Sequence, residues 1–199
     1  MKKLFALIAA AIVLAGCGRV WVKGTANTFS QAPLSINGKT FIMEEQRNPD
    51  AIGTKVGQLI ARAFEIKGLK HVPDNYDYVI RYAYDVVGDG VDSSAYSTLI
   101  NPNTTYATVA TNIVNTSLYK KTIAVGIWNK DMTKRLWDGV TSETGWCNQI
   151  IVTTPHIMSV MLNNFPETRT NDTASLGEDD PFAQEVRKFF PSSTNWSCR

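Results

Sequence analysis

Apolar positions in this chain come first as a block and then as rhythms. Residues 4–14 are an unbroken apolar run of eleven, shorter than the ~20 needed to span a bilayer. Val20 and Val22 then alternate with Arg19, Trp21 and Lys23, predicting a strand over 19–26. Residues 27–38 are polar, and Pro33, Asn37 and Gly38 mark a loop. Phe41, Ile42 and Met43 predict a short strand within 39–45. The period then changes. Ile52, Val56, Leu59, Ile60, Ala63 and Phe64 fall on one helical face, with Lys55, Gln58, Arg62 and Glu65 on the other. Asn48 suits the cap, Pro49 the first helical position and Asp50 the positive helix end. Gly68 suits the stop.

A long strand follows over 76–87. Tyr78, Ile80, Tyr82, Tyr84 and Val86 share one face; Val79, Arg81, Ala83 and Asp85 share the other. Such an aromatic row serves either as a stacking platform for sugars or bases or as a sheet face beneath a helix, and the second is the simpler reading. Residues 88–117 turn rich in Gly, Asp, Ser, Thr and Asn. This insert reads as an exposed loop or as an irregular hairpin built from 97–100 and 106–113, with Gly88-Asp89-Gly90 as a tight turn. Residues 118–128 and 134–143 predict an antiparallel hairpin across 129–133. A second helix is expected between Asn148 and Asn164, with Thr154-Pro155 as an alternative start. Ile157, Met158, Met161, Leu162 and Phe165 form its buried stripe. Beyond Pro166 the chain is polar until Asp180-Pro181, which predicts a capped short helix through Phe190. The pattern amounts to an α+β fold: two layers, a mainly antiparallel sheet and two principal helices on one face.

Lys2 and Lys3 precede the apolar run, and Leu14-Ala15-Gly16-Cys17 ends it. That is the order of a secretory signal, and the last four residues resemble the lipobox of bacterial lipoproteins. The resemblance implies cleavage before Cys17, a diacylglycerol on its sulfur and a palmitate-type chain on its amine. Gly18, where an Asp would resemble an inner-membrane retention signal, implies outer-membrane sorting on the periplasmic side. The expected division is a signal peptide at 1–16, a lipid-anchored domain at 17–166 and a C-terminal extension at 167–199. Removing Lys2 and Lys3 from the 20 basic residues leaves 18 against 18 acidic. A neutral chain without a basic run argues against nucleic-acid binding. With Cys17 lipidated, Cys147 and Cys198 remain, in a compartment where disulfides persist.

The order of Gly38-Lys39-Thr40-Phe41, Lys67-Gly68-Leu69, Asp77-Tyr78-Val79-Ile80, Leu136-Trp137-Asp138-Gly139 and Asn164-Phe165-Pro166 resembles a family of Gram-negative outer-membrane lipoproteins built on an uncharacterised domain. The resemblance covers about residues 20–166 and implies an α+β domain similar in outline to the amino-terminal domain of TolB. The insert at 88–117 and the tail lie outside that pattern.

Enzyme signatures are scarce. The sequence has no Gly-x-Ser-x-Gly elbow, His-Glu-x-x-His, phosphate loop or Cys-x-x-Cys. Asp85, Asp89 and Asp92 do not match a calcium loop. His71 reads as a surface residue and His156 as partly buried or capping. A Cys147–His156 dyad competes with the disulfide for the same sulfur. No catalytic residue, metal or cofactor is expected. Three function classes follow: a non-catalytic envelope module binding protein or peptidoglycan, a carrier of a lipid or small apolar ligand, and a hydrolytic enzyme. The first fits best, with Tyr96, Ile100, Asn103, Tyr106 and Asn112 in the insert as candidate contacts, because recognition concentrates on segments projecting from a rigid scaffold.

Overall fold

The computed structural model describes residues 20–31, 33–44, 50–100, 108–191, 196 and 198; at 20–21, 92–100 and 108–115 the description is of the backbone. Cys17, Asn103 and Tyr106 lie outside the described residues. The fold is α+β. It contains β1 (Val20–Ser30), β2 (Thr40–Met43), α1 (Ala51–Ile66), β3 (Lys70–His71), β4 (Tyr78–Ile100), β5 (Thr108–Asn129), β6 (Arg135–Gly145), α2 (Ile150–Met161), β7 (Arg169–Gly177) and α3 (Pro181–Arg187). The strands form one mixed seven-stranded sheet in the order β3-β2-β4-β5-β6-β1-β7. Four interfaces are antiparallel; β2 runs parallel to both β3 and β4. The parallel pair β2–β4 arises because α1 carries the chain from one strand back to the same end of the next, the connection that parallel pairing requires.

Helix α1 follows its sequence period closely. Val56, Leu59, Ile60 and Phe64 are fully buried, each contributing about 1.5–3 kcal/mol by leaving water. Its cap is Asp50, whose carboxylate accepts the Gly53 N–H, rather than the expected Asn48. Gly68 ends it at φ +103°, where a side chain would be strained. Helix α2 starts at Ile150, with Pro155 inside it, so Thr154-Pro155 is not a start. Instead the Thr154 hydroxyl donates to the Ile150 carbonyl at 2.7 Å. A third helix, α3, is capped by Asp180, which accepts the Ala183 N–H at 2.8 Å, and it touches both α1 and α2. This is the short helix expected from Asp180-Pro181, added to the two principal ones; it ends at Arg187 rather than at Phe190.

The helices meet a single set of sheet positions. A Cβ on Gly57 of α1 would sit 2.6 Å from the Tyr82 hydroxyl of β4, and one on Gly139 of β6 would sit 3.0 Å from Met161 of α2. Registers Tyr82↔Val125 and Val125↔Gly139 put these residues in one row. The Tyr82 hydroxyl donates to the Gly53 carbonyl at 2.7 Å, so the aromatic row lies beneath a helix. The centre of the core is an edge-to-face group: Phe64, Trp137 and Phe165 with centroids 5.1–6.1 Å apart.

Three stretches differ from the expected pattern. β1 runs on to Ser30, through residues expected to be loop, because both its edges are paired, to β6 and β7. β7 occupies the polar run after Pro166 as a sheet edge. Gly88-Asp89-Gly90 is not a turn: β4 passes through it with a register shift, Gly90 taking φ +116°, the signature of a bulge.

The close seat of α1 on β4 gives a test whose sign is decisive. Gly→Ala in a helix ordinarily stabilises by about 1 kcal/mol. Gly57→Ala should instead destabilise by about 1–3 kcal/mol, because the new methyl meets Tyr82. A rise in the denaturant midpoint would contradict the packing.

Candidate interaction surface

The insert is a hairpin, continuous with the sheet. β4 and β5 pair in one antiparallel ladder from Tyr78↔Asn129 to Ile100↔Thr108, shifted in register once, at Gly88/Gly90. Their neighbours stop early. β2 accompanies β4 only as far as Ile80, and β6 accompanies β5 only from Tyr119 onward. Among the described residues, the segments 90–100 and 108–118 therefore form a two-stranded ribbon projecting past the sheet, with an unpaired edge on each side. At its base the Thr144 hydroxyl donates to Asp89 at 3.1 Å, joining β6 to β4 where β6 ends. Tyr96 and Asn112 stand directly opposite each other in the ladder, and Ile100 closes its last row against Thr108. Three of the five expected contact residues thus share the ribbon.

Below the ribbon lies a feature that the sequence reading passed over. Lys121 and Glu143 are opposite each other on β5 and β6, both essentially without solvent exposure, with Nζ and Oε2 2.7 Å apart. Lys121 also donates to the Cys147 carbonyl. Burial pushes the Glu143 carboxyl above its usual range, while the Lys121 ammonium opposes that shift. The signal was in the phase: Lys121 alternates in step with Ile123, Val125 and Ile127, all core residues. Cys147 is joined to Cys198 by a disulfide with Cα atoms 5.4 Å apart, the pairing expected. It ties the chain end beside α2, where Trp196 packs on Phe190 at 5.9 Å. The Cys147–His156 dyad is not formed.

His156 is fully buried, its Nε2 3.1 Å from the Gly177 carbonyl. Burial first, and the Arg187 charge second, lower its pKa to about 4. It is neutral at physiological pH and positions β7 against α2. His71 is exposed, as expected, and stacks on Phe41 at 5.1 Å. Asp77 is held down to about 2, chiefly by the Lys39 ammonium 2.8 Å away. It also accepts the Thr40 N–H at 2.9 Å, so this pair fastens β2 to the start of β4.

The sheet face away from the helices carries Trp128 between two guanidinium groups, Arg81 at 5.5 Å and Arg135 at 5.8 Å from the ring. A shallow depression of ≈ 290 Å³ surrounds it, and another of ≈ 470 Å³ lies near Ile42, His71 and Tyr76. Arg81 also pairs with Glu44, and Arg135 with Asp138 at 3.5 Å. These charges satisfy one another. Among the described residues no group of three His, Cys, Asp or Glu is placed to hold a metal, and no helix is long and apolar enough to cross a membrane.

No protein-family model and no curated protein matches the chain. Solved structures similar to it include a PDZ domain protein from Parabacteroides distasonis, with 12% identity and a TM-score of 0.49. That match covers 83% of this chain and 41% of the other, so the chain spans less than half of that protein. Two PelC dodecamer structures from Paraburkholderia phytofirmans also match. One has 16% identity and a TM-score of 0.41, covering 69% of this chain and 93% of that one. The other has 14% and 0.37, covering 62% and 83%. At TM-scores below 0.5 these likenesses define no shared fold.

The buried pair predicts a sharp asymmetry. Glu143→Gln or Lys121→Met alone should cost about 3–5 kcal/mol, because each strands the partner's charge in the core. The double variant Lys121→Met/Glu143→Leu should recover most of it. Additive losses in chemical denaturation would show that the two groups are not coupled.

Proposed function

We propose that this chain is a lipid-anchored, non-catalytic interaction module of the cell envelope, facing the periplasm from the outer membrane, with the β4–β5 ribbon as its recognition element. The observation that carries the reading is the ribbon itself. It continues past the neighbouring strands β2 and β6 and, among the described residues, leaves two strand edges open, and an open edge is a template for pairing with another chain. The lipobox resemblance at Leu14-Ala15-Gly16-Cys17 supports the address, and the Cys147–Cys198 disulfide suits an oxidising compartment.

We also read the domain as two layers, three helices on one face of the sheet, in keeping with the resemblance to the amino-terminal domain of TolB. The space between the layers is filled by side chains such as Phe41, Leu59, Phe64 and Trp137, each fully buried. This packing favours a binding scaffold over a ligand carrier.

Two measurements test the proposal. Cys17→Ser should leave uncleaved precursor and abolish labelling by a palmitate analogue; unchanged labelling would remove the anchor. A photo-crosslinking residue at Tyr96 or Asn112 should capture an envelope component in cells, whereas one at Lys134, in the turn at the opposite end of β5, should not. Equal capture from both places would deny the ribbon a special role.

A further inference from the structure

The ribbon is unusual in what it lacks. From Ser93 to Tyr119 the sequence runs 27 residues without a Lys, Arg, Asp or Glu, in a chain that is 19% charged. Exposed edge strands in water are ordinarily guarded by charge, and this ribbon has two edges and a single charge, Asp92, near its base. Charges return at its base, with Asp85 and Asp89 on β4 and Lys120 and Lys121 on β5. The uncharged zone and the ribbon therefore nearly coincide.

We propose that copies of this chain are one another's partner: their ribbons pair edge to edge, β4 of one against β5 of the next, and close into a barrel crossing a lipid bilayer. The proposal rests on the reading of the ribbon as the recognition element and names what it recognises. Length supports it. Eleven paired rows run from Gly90↔Leu118 to Ile100↔Thr108, a rise of ~37 Å at ~3.4 Å per residue. Tilted by ~40°, they span ~28 Å, close to the ~25 Å apolar band of membrane barrels.

Strand alternation places Val91, Ala95, Leu99, Val109 and Ile113 on one side of the ribbon, interleaved with Ser93, Ser97, Thr111, Asn115 and Ser117, and places Tyr96, Ile100, Ala110, Val114 and Leu118 on the other. Asp92, the single charge in the eleven rows, falls on the other. Each side carries five apolar residues, and the lone charge marks the second as the lumen side.

The medium follows from area. Two edges ~37 Å long and ~10 Å deep bury ~370 Å² on each partner, well under the ~800 Å² of a stable interface in water. In hydrocarbon an open edge is not tolerated, because no water satisfies its backbone groups, and only closure removes it. The ribbons should therefore stay apart in water and close in lipid. Each copy supplies two strands, so a smallest barrel of roughly eight strands needs about four copies.

The test uses the full-length lipidated chain in phosphatidylethanolamine/phosphatidylglycerol vesicles loaded with self-quenched calcein. One pool carries Thr98→Cys; a second carries Ala110→Cys, Asn112→Cys or Val114→Cys, so that any disulfide between pools joins two copies. Dye release together with disulfides between pools is expected. Leu99→Lys with Ile113→Lys should keep the wild-type unfolding midpoint and slow release about tenfold or more. Intact vesicles without disulfides between pools, alongside in-cell crosslinks from Tyr96 to a different envelope component, would overturn self-pairing and leave the module reading standing. Absence of every crosslink would overturn both. Disulfides between pools that form equally without vesicles, with no dye release, would show an aqueous stack and overturn the barrel.

Discussion

The β4–β5 ladder is the constraint on which the rest of this structure depends. It holds 22 paired rows, and only its lower part has a core. There Tyr82 and Tyr84 reach up to α1, Ile123, Val125 and Ile127 face the helices, and β2 and β6 extend the sheet on either side. Above Gly90 the same two strands continue, and among the described residues no further strand pairs with them. A two-stranded ribbon alone is marginally stable in water. Here it is the continuation of strands already fixed in register, so its alignment is set below it. The bulge at Gly88/Gly90 marks the change from core to projection, where bulges bend and twist a strand.

Immediately beneath that change sits the Lys121–Glu143 pair. An ion pair with no solvent exposure adds little net stability, since desolvation offsets attraction. It penalises misalignment instead: a one-residue slip of β5 against β6 would turn both charges to the opposite face. Lys121 also holds the Cys147 carbonyl. The base of the ribbon, the entry to α2 and the disulfide-bonded chain end are thus joined at one point.

Much of this was legible in the residues. The 3.6-residue period of α1, the Asp180-Pro181 cap, the β5–β6 hairpin and the Cys147–Cys198 pairing all rest on local chemistry, and local chemistry prevailed. The rest was not local. Arg169–Gly177 carries too few apolar residues to alternate, and it is a strand because β1 offers it an edge. Gly88-Asp89-Gly90 has turn composition, yet a ladder already running through Val86 and Val87 carries on across it. Asp50 displaced Asn48 as cap because its carboxylate also accepts from the Tyr84 hydroxyl at 3.2 Å, a tertiary contact. Tyr96 and Asn112 were placed in one insert by composition; that they face each other across a ladder needed the register.

Hydrogen exchange of the amides in 90–100 and 108–118 tests the central claim most directly. A ribbon with open edges in water exposes every second amide of each strand to solvent, so about half of its amides should exchange within seconds. When the lipidated protein is placed in bilayers, that fast half should become as protected as the core strands, because neighbouring copies then take up the free edges. If the same amides stay fast in bilayers, the edges remain open and the account of the ribbon is wrong.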